Sequence, residues 1–228
     1  MSNKLVIVVS AILLAVSSRV GAQMEMTDQQ KFSYAVGFQV GQQIFQRMQS
    51  SADLELDAAV FAKAIEDVFS GSDPALPVEE MQAVLEAERS RRIAQQQAQG
   101  AENEQRGAEF MVANQAKEGV EATASGIQYR VIEAGSGKQP GSEATVVVHY
   151  AGQLVDGTEF DSSYKRGQPA TFSLGGIIKG WQEILPLMQE GAKWEVVIPP
   201  ALAYGPNGGG SIGPNETLVF TIELIEVK

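Results

Sequence analysis

Residues 145–163 read TVVVHYAGQLVDGTEFDSS. β-Branched residues dominate the start of this stretch, and they favour a strand from Thr145 to Leu154. Asp156-Gly157 follows, a dipeptide that favours a tight hairpin turn. The stretch therefore predicts a strand that turns back on itself, which is typical of an antiparallel sheet.

The surrounding residues extend this sheet. Further strands are expected at residues 127–132, 171–174, 193–198 and 217–227. One helix is expected around residues 178–188, and Pro186 should shorten or distort it because proline has no N–H to donate. Five or so antiparallel strands with one short helix predict an α+β module.

Glycine and proline are unevenly distributed along the chain. Residues 1–118 hold six of the 23 glycines and two of the nine prolines, and residues 119–228 hold the other seventeen and seven. Both residue types mark turns, so strands and turns are expected in the second part and helices in the first. Two modules are predicted, with their boundary near residue 119.

Three helices are predicted before that boundary. The first is capped by Thr27 or Asp28 and runs to Gln49, and the second spans Asp57–Ser70. The third should extend from Val78 to Lys117, and its middle is polar on every side, as in a helix that bridges domains through solvent. Gly100 and Gly107 are its expected flex points. A disordered linker is the alternative.

The first helix carries a wide apolar stripe. Gly37 and Gly41 lie on one of its faces, where they would let a second backbone come close. Two helices of fewer than about fifty residues in total bury too little surface alone. The favoured hypothesis is a homodimer, in which a second copy of the chain covers the stripe. The other is that the stripe is the ordinary core of a small bundle.

The N-terminal segment has the pattern of a targeting signal. Lys4 precedes an apolar run from Leu5 to Val16, and small residues lead to Ala22. This predicts a secretory signal peptide over residues 1–22, cleaved after Ala22, because a membrane span needs roughly 20 apolar residues. An uncleaved anchor is the alternative. The expected location is the periplasm, with outer-membrane association as a further option.

Composition excludes several kinds of chemistry. The chain has no cysteine, a single histidine and a formal net charge of −11. Thiol nucleophiles, cysteine-ligated metals and sites with two imidazoles are excluded, and an acidic chain repels nucleic acid. His149 lies mid-strand and is interpreted as a structural residue. No metal and no cofactor are expected.

The motifs of the second module are similar to one enzyme family. FKBP-type peptidyl-prolyl isomerases show a similar order and spacing of segments over about 110 residues; the matching segments here are residues 147–152, 156–163, 180–181, 198–205 and 214–220. Upstream, residues 33–41 and 123–129 resemble the Mip (macrophage infectivity potentiator) and FkpA subgroup. The resemblance covers nearly the whole chain after residue 22.

The resemblance implies an α+β architecture in several parts. It comprises a helical N-terminal dimerisation module, a long connecting helix, and a C-terminal FKBP-like antiparallel sheet wrapped on one short helix. The expected boundaries are 1–22 for the signal peptide, 23–72 for the dimerisation domain, 73–118 for the connecting helix and 119–228 for the isomerase domain. Two isomerase modules would then be held apart on long arms.

The resemblance also implies roles for individual residues. Trp181 forms the floor of a proline pocket, and the substrate-binding walls are Tyr150, Phe160, Ile177, Ile178 and Phe220. The Ile178 N–H and the Tyr204 hydroxyl donate to substrate carbonyls. Asp161 is the polar group beside the twisting amide, positioned by Arg166 or by Tyr150.

Three segments depart from the family pattern. Ala170 stands where a bulky aromatic wall is common, so a wider pocket is expected there. Residues 205–213 are rich in glycine, so this loop is expected to be mobile. Residues 174–177 are shorter than in single-domain relatives, which makes Ile177 a weaker assignment than Ile178.

Together with the signal peptide, the resemblance implies a peptidyl-prolyl isomerase that assists the folding of secreted proteins. Proline-containing unfolded chains are the expected substrates, and macrolides of the rapamycin and tacrolimus type the expected inhibitors. The alternative function is a holdase chaperone, in which isomerisation is incidental.

Overall fold

The computed structural model describes residues 26–49 and 56–228. They fall into two compact units, one ending at Ala75 and the other running from Leu76 to Lys228. The predicted signal peptide and its cleavage site lie outside the described residues. None of the described helices combines the length and apolar character needed to cross a membrane.

The first unit contains two helices. They are α1, Asp28–Gln49, and α2, Ala58–Ser70. Asp57 caps α2 by accepting hydrogen bonds from Ala59 N and Val60 N at 2.9 and 3.0 Å. Gly71 ends the helix with φ 69°, a left-handed conformation that glycine adopts without strain. Both helices lie where the sequence predicted them.

The apolar side chains of this unit face solvent. Of the side chains described in it, none is buried, and Phe32 and Phe69 are 71% and 88% exposed. The apolar groove of α1 is defined by Tyr34, Gly37, Phe38, Gly41, Gln42 and Phe45. A Cβ added at either glycine would meet nothing within 4 Å in the described residues. The described residues therefore leave the predicted stripe uncovered.

The second unit is one long helix followed by a seven-stranded antiparallel sheet. The helix α3 spans Val78–Gln115. The strands are β1 Val120–Ala122, β2 Gln128–Ala134, β3 Thr145–Leu154, β4 Glu159–Ser162, β5 Ala170–Ser173, β6 Ala192–Ile198 and β7 Leu218–Val227. Their order is β1-β2-β6-β7-β3-β4, and β5 pairs with β3. The α+β fold class is confirmed.

The short helix α4, Lys179–Ile184, contributes to the core of the sheet domain. Its buried side chains Trp181 and Ile184 join apolar residues from β3, β6 and β7. Pro186 lies in a 3₁₀ turn that replaces the rest of the predicted helix. Proline shortens this helix, as expected.

Two strands were missed in the sequence. β4 is the return arm of the hairpin, where Gly157 supplies the positive φ of 87°. β1 has only three residues and pairs with β2 at the edge of the sheet. Both are too short for a period-two pattern to show.

The C-terminal half of α3 packs against the sheet domain. Asn114 Nδ2 donates to Gln128 Oε1 at 2.9 Å, and Asn103 Nδ2 donates to the Pro214 carbonyl at 2.8 Å. A Cβ at Gly107 would lie 3.0 Å from the Cβ of Thr217 and closer still to its hydroxyl. The assignment of Gly100 and Gly107 as flex points was therefore wrong, because both glycines are buried where helix and loop meet.

Candidate active site

The sheet domain contains a cavity of about 420 Å³ that is open at one side. It is lined by Tyr150, Phe160, Asp161, Phe172, Gly176, Ile177, Ile178, Trp181, Tyr204 and Phe220. We call this cavity the aromatic pocket. Eight of the nine site residues predicted from sequence line it, and the ninth, Arg166, contacts two of them.

Trp181 is the centre of the pocket's ring cluster. It is 4% exposed, and its ring makes edge contacts with those of Tyr150 at 5.3 Å, Phe172 at 5.6 Å and Phe220 at 5.3 Å between centroids. Phe160 in turn meets Phe220 edge-on at 5.7 Å. Edge-to-face pairs are a favourable arrangement of aromatic rings, so the cluster holds its own shape.

Two glycines make room for this cluster. A Cβ at Gly152 of β3 would lie 2.6 Å from Phe160 Cζ and 2.8 Å from Phe220 Cε1. A Cβ at Gly180 of α4 would lie 2.5 Å from the Ile198 side chain. Glycine at these positions lets two rings pack against β3 and brings α4, with Trp181, close to β6.

Tyr150, Asp161 and Arg166 form the polar corner of the pocket. The Tyr150 hydroxyl donates to Asp161 Oδ2, and Arg166 donates from Nη1 to Asp161 Oδ1 and from Nη2 to the Tyr150 oxygen at 2.9 Å. The guanidinium also lies 5.4 Å from the centroid of the Tyr150 ring, within range of a cation–π contact.

Contacts within the polar corner shift the pKa values of Asp161 and Tyr150. Partial burial works against ionisation of Asp161, but the hydrogen bonds from Tyr150 and Arg166 outweigh it and hold the pKa of this carboxyl below its usual value. Burial and the bond to Asp161 raise the pKa of the Tyr150 hydroxyl. At neutral pH the corner therefore holds an ionised carboxylate and a neutral phenol.

The rim of the pocket is built from a turn and a loop. Ile177 and Ile178 lie directly before α4, and Gln182 Nε2 holds their turn by donating to the Ile177 carbonyl at 2.7 Å. Tyr204 lies in the segment between β6 and β7 and is 43% exposed. Its ring packs beside Gly209, where a Cβ would lie 2.9 Å from Tyr204 Cδ1.

Phe172 was missed in the sequence. Ala170 does not line the pocket, but Phe172, two residues further along β5, supplies an aromatic ring against Tyr150 and Trp181. Strand alternation places Phe172 on the same face as Ala170 and was the signal that could have found it. Gly176 was also missed, and it had no distinguishing signal.

His149 lies outside the pocket. Its ring stacks on Tyr164 at 4.7 Å, and its Nδ1 is 3.0 Å from the Ser163 hydroxyl. These contacts agree with the interpretation of His149 as a structural residue. Within the described residues, no group of three or more histidine and carboxylate side chains is placed to hold a metal.

Two family matches cover both the helical part and the sheet. Residues 136–225 match the family described as FKBP-type peptidyl-prolyl cis-trans isomerase. Residues 29–131 match the family described as the domain amino terminal to FKBP-type peptidyl-prolyl isomerase. The aromatic pocket lies within the first match.

Individual relatives match over most of their length. The FKBP-type 22 kDa peptidyl-prolyl cis-trans isomerase of Escherichia coli is 46% identical over 200 residues, which are 86% of this chain and 93% of that protein. The outer membrane protein MIP of Legionella longbeachae is 42% identical over 207 residues, 89% of this chain and 87% of that protein.

A solved structure shows the same architecture. The crystal structure of FkpA from Escherichia coli matches with a TM-score of 0.63 at 38% identity, over 89% of this chain and 97% of that one. The chain belongs to the FKBP-type peptidyl-prolyl cis-trans isomerases. It is an isomerase of X-Pro peptide bonds, and the resemblance to Mip and FkpA proteins is confirmed.

Proposed function

We propose that isomerisation takes place in the aromatic pocket, with the proline ring over Trp181 and between the side chains of Tyr150, Phe160, Ile177, Ile178 and Phe220. The observation that carries this proposal is the cluster of edge-packed rings around one buried tryptophan. Its lining is apolar apart from a few groups at the edge, which suits a neutral cyclic side chain.

The chemistry of the reaction fits such a pocket. The planar amide is protected by a barrier of about 18–20 kcal/mol, because the nitrogen lone pair is conjugated with the carbonyl. Water stabilises the charge-separated planar form, so a pocket that removes water favours the twisted amide. Each 1.36 kcal/mol removed from the barrier speeds the reaction about tenfold.

The polar groups are assigned to orientation. Asp161, fixed by Tyr150 and Arg166, lies beside the twisting amide and presents a carboxylate to it. The Tyr204 hydroxyl and the Ile178 N–H are the proposed donors to substrate carbonyls. None of the three has to exchange a proton during the rotation.

A protease-coupled isomerase assay with a proline peptide tests these assignments. Asp161→Leu and Tyr204→Phe should each lower kcat/KM about tenfold or more, because each removes a polar contact to the substrate worth about 1–3 kcal/mol. Circular dichroism should show that both variants remain folded. Wild-type activity in either variant would contradict the assigned role.

The pH profile of the wild-type enzyme should be nearly flat between about pH 6 and pH 8. The pKa of Asp161 lies below its ordinary 3.8 and that of Tyr150 above its ordinary 10.0. Because the pKa of Asp161 is depressed, the carboxylate persists at pH values above 3.8 and is lost only as the pH falls through the lowered pKa. A bell-shaped profile within this window would indicate acid–base catalysis instead.

The proposal extends to inhibitors, clients and location. Macrolides of the rapamycin and tacrolimus type should bind the aromatic pocket and inhibit the assay competitively. The clients are proline-containing unfolded chains in the periplasm. This chain itself reaches the periplasm with loss of its signal peptide, residues 1–22. The relative from Legionella longbeachae is named an outer membrane protein, which supports an envelope location here.

We also propose that the chain forms a homodimer through residues 23–72, with 73–118 connecting to the isomerase domain 119–228. The support is the apolar groove of α1, which the described residues leave open to solvent. Exposed phenylalanines on both helices of the first unit add to this surface. A second copy would bury the same face on each chain, the arrangement most common in dimers.

Placing arginine in the groove tests the dimer. Gly41→Arg should shift residues 23–228 from dimer to monomer in sedimentation experiments at micromolar concentration. Gln43→Arg, two positions further along the exposed helix, is the control and should remain dimeric. Peptide isomerisation should survive in both variants, since each pocket lies within one chain.

Refolding of an unfolded protein client tests what the homodimer contributes to function. Refolding should slow for Gly41→Arg, because two linked sites raise the effective concentration of a long client. A monomeric wild-type chain would contradict the homodimer proposal.

The holdase alternative is tested with Asp161→Leu. If this variant still suppresses aggregation as the wild type does, and still refolds the client fully, the holdase is favoured.

A further inference from the structure

Asn103 is a buried amide in the middle of a polar helix. It is 1% exposed and donates from Nδ2 to the Pro214 carbonyl at 2.8 Å. Arg106 Nη2 donates to its Oδ1 at 2.6 Å, which fixes the orientation of the amide from the other side. Burying a polar side chain costs free energy unless its hydrogen bonds are made. The amide of Asn103 must therefore keep the position in which both bonds form.

The bond from Asn103 reaches the base of the Tyr204 loop, which we define as residues 204–214. Asn215, the next residue, donates its N–H to the Gly205 carbonyl at 2.9 Å and so ties the two ends of the loop together. Gly205 directly follows Tyr204. A continuous path of two hydrogen bonds and adjacent peptide units therefore links α3 to Tyr204.

The bonds within the Tyr204 loop are short-range: the Gly208 N–H donates to the Gly205 carbonyl at 3.4 Å, and the Tyr204 ring packs beside Gly209. Gly205, Gly208 and Gly210 adopt φ values of 61°, 65° and 60°, and glycine restricts the unfolded loop less than other residues do. One bridge between Gly209 and Ile212 spans its tip. Contacts from neighbouring elements therefore add to these bonds in ordering the loop.

α3 supplies a second contact to the same loop. Gln96 Nε2 donates to the Pro206 carbonyl at 3.3 Å. Gly100 lies between the two amides, and a Cβ there would be 3.5 Å from Pro214 Cβ. One face of α3 therefore contacts the loop on both sides of its glycine-rich tip.

We infer that Asn103 is a positioning residue of the isomerase, which holds the Tyr204 hydroxyl at the rim of the pocket through Pro214 and Gly205. This inference rests on the substrate-donor role proposed for Tyr204. It makes α3 a part of the catalytic unit, where the sequence had indicated only a spacer. Residues 205–213 are then ordered by a helix, despite their glycine content.

A double-mutant cycle in the full chain tests the coupling. Asn103→Ala should lower kcat/KM about three- to tenfold, and Tyr204→Phe should lower it at least as much. The double variant should be no slower than Tyr204→Phe alone, because a lost hydroxyl no longer needs to be positioned. Gln96→Ala, at an exposed side chain, should show the same pattern with a smaller effect and without risk to folding.

Asn114→Ala is the matched control. It removes another buried amide of α3, 2% exposed and bonded to Gln128, which leads to β2 and not to the Tyr204 loop. It should lower the unfolding midpoint as Asn103→Ala does, while kcat/KM stays at the wild-type value. Equal losses of kcat/KM in the two variants would show a general stability effect and overturn the inference.

The other outcomes are also distinguishable. If Tyr204→Phe is slow but Asn103→Ala and Gln96→Ala have wild-type kcat/KM, the inference fails and the role of Tyr204 stands. If the effects of Asn103→Ala and Tyr204→Phe multiply in the double variant, Asn103 does not act through the hydroxyl and the inference fails. If Tyr204→Phe is as fast as the wild type, the proposed role of Tyr204 fails, and the inference with it.

Discussion

Trp181→Ala should lower kcat/KM for a proline peptide by roughly 100-fold, the factor that corresponds to about 3 kcal/mol of lost transition-state stabilisation. The indole is the one ring that contacts three others in the pocket, those of Tyr150, Phe172 and Phe220. Its removal takes away the floor and leaves space for water. Water would restabilise the planar amide that the pocket is proposed to destabilise.

The same substitution should reduce stability. Truncating a buried tryptophan to alanine costs about 3–5 kcal/mol, through lost burial and the cavity left behind. Activity must therefore be normalised to the folded fraction, measured by circular dichroism at the assay temperature. Rapamycin binding, measured by calorimetry, should weaken in parallel with turnover.

Trp194 provides the matched control for this prediction. It is 7% exposed, lies in β6 and stacks on Tyr129 at 4.8 Å, and it does not line the pocket. Trp194→Ala should lose stability on a similar scale and keep the wild-type kcat/KM per folded molecule. Equal activity losses in the two variants would remove Trp181 from the floor of the site.

The pocket could be predicted because the order and spacing of the motifs that hold its residues resemble those of the FKBP-type isomerases. Tyr150 and Phe220 lie on long strands, and Trp181 follows a glycine at the start of the short helix. These positions were assigned from the order of the motifs along the sequence. Phe172 was missed because the family pattern is broken at Ala170, and the ring comes instead from the next residue on the same face of β5.

The role of α3 could not be predicted in the same way. A helix surface without apolar residues is typical of exposure to solvent, and sequence alone does not show which carbonyl groups an amide will meet. Asn103 and Asn114 are buried through hydrogen bonds to Pro214 and Gln128, which lie 111 and 14 residues away in the chain. Glycine is equally ambiguous, since it marks either flexibility or close approach.

Gly100 and Gly107 allow these two meanings to be separated by experiment. Both lie within α3, and glycine in a helix is about 1 kcal/mol less favourable than alanine. If both were flex points, Gly100→Ala and Gly107→Ala should each stabilise the chain by about that amount. The packing of α3 predicts that the two substitutions differ: Gly107→Ala should destabilise the chain and Gly100→Ala should not.

The contacts at each glycine give the expected direction. At Gly100 a new Cβ would lie 3.3 Å from Asn215 Nδ2, the end of a side chain that can shift, so Gly100→Ala should be neutral or stabilise by up to about 1 kcal/mol. At Gly107 it would lie 3.0 Å from the Cβ of Thr217 and closer still to its hydroxyl, and Thr217 is 2% exposed. Gly107→Ala should therefore destabilise by about 1–3 kcal/mol, the usual cost of overpacking.

Urea unfolding of the full chain, followed by tryptophan fluorescence, measures both changes, because Trp181 and Trp194 lie in the sheet domain that α3 contacts. Thr217→Ala in the Gly107→Ala background removes the hydroxyl that the new Cβ approaches most closely, and it should recover part of the loss. Equal stabilisation by Gly100→Ala and Gly107→Ala would show that α3 is not packed at Gly107. The helix would then be the free arm that its polar sequence predicts, and Asn103 would have no fixed partner through which to hold Tyr204.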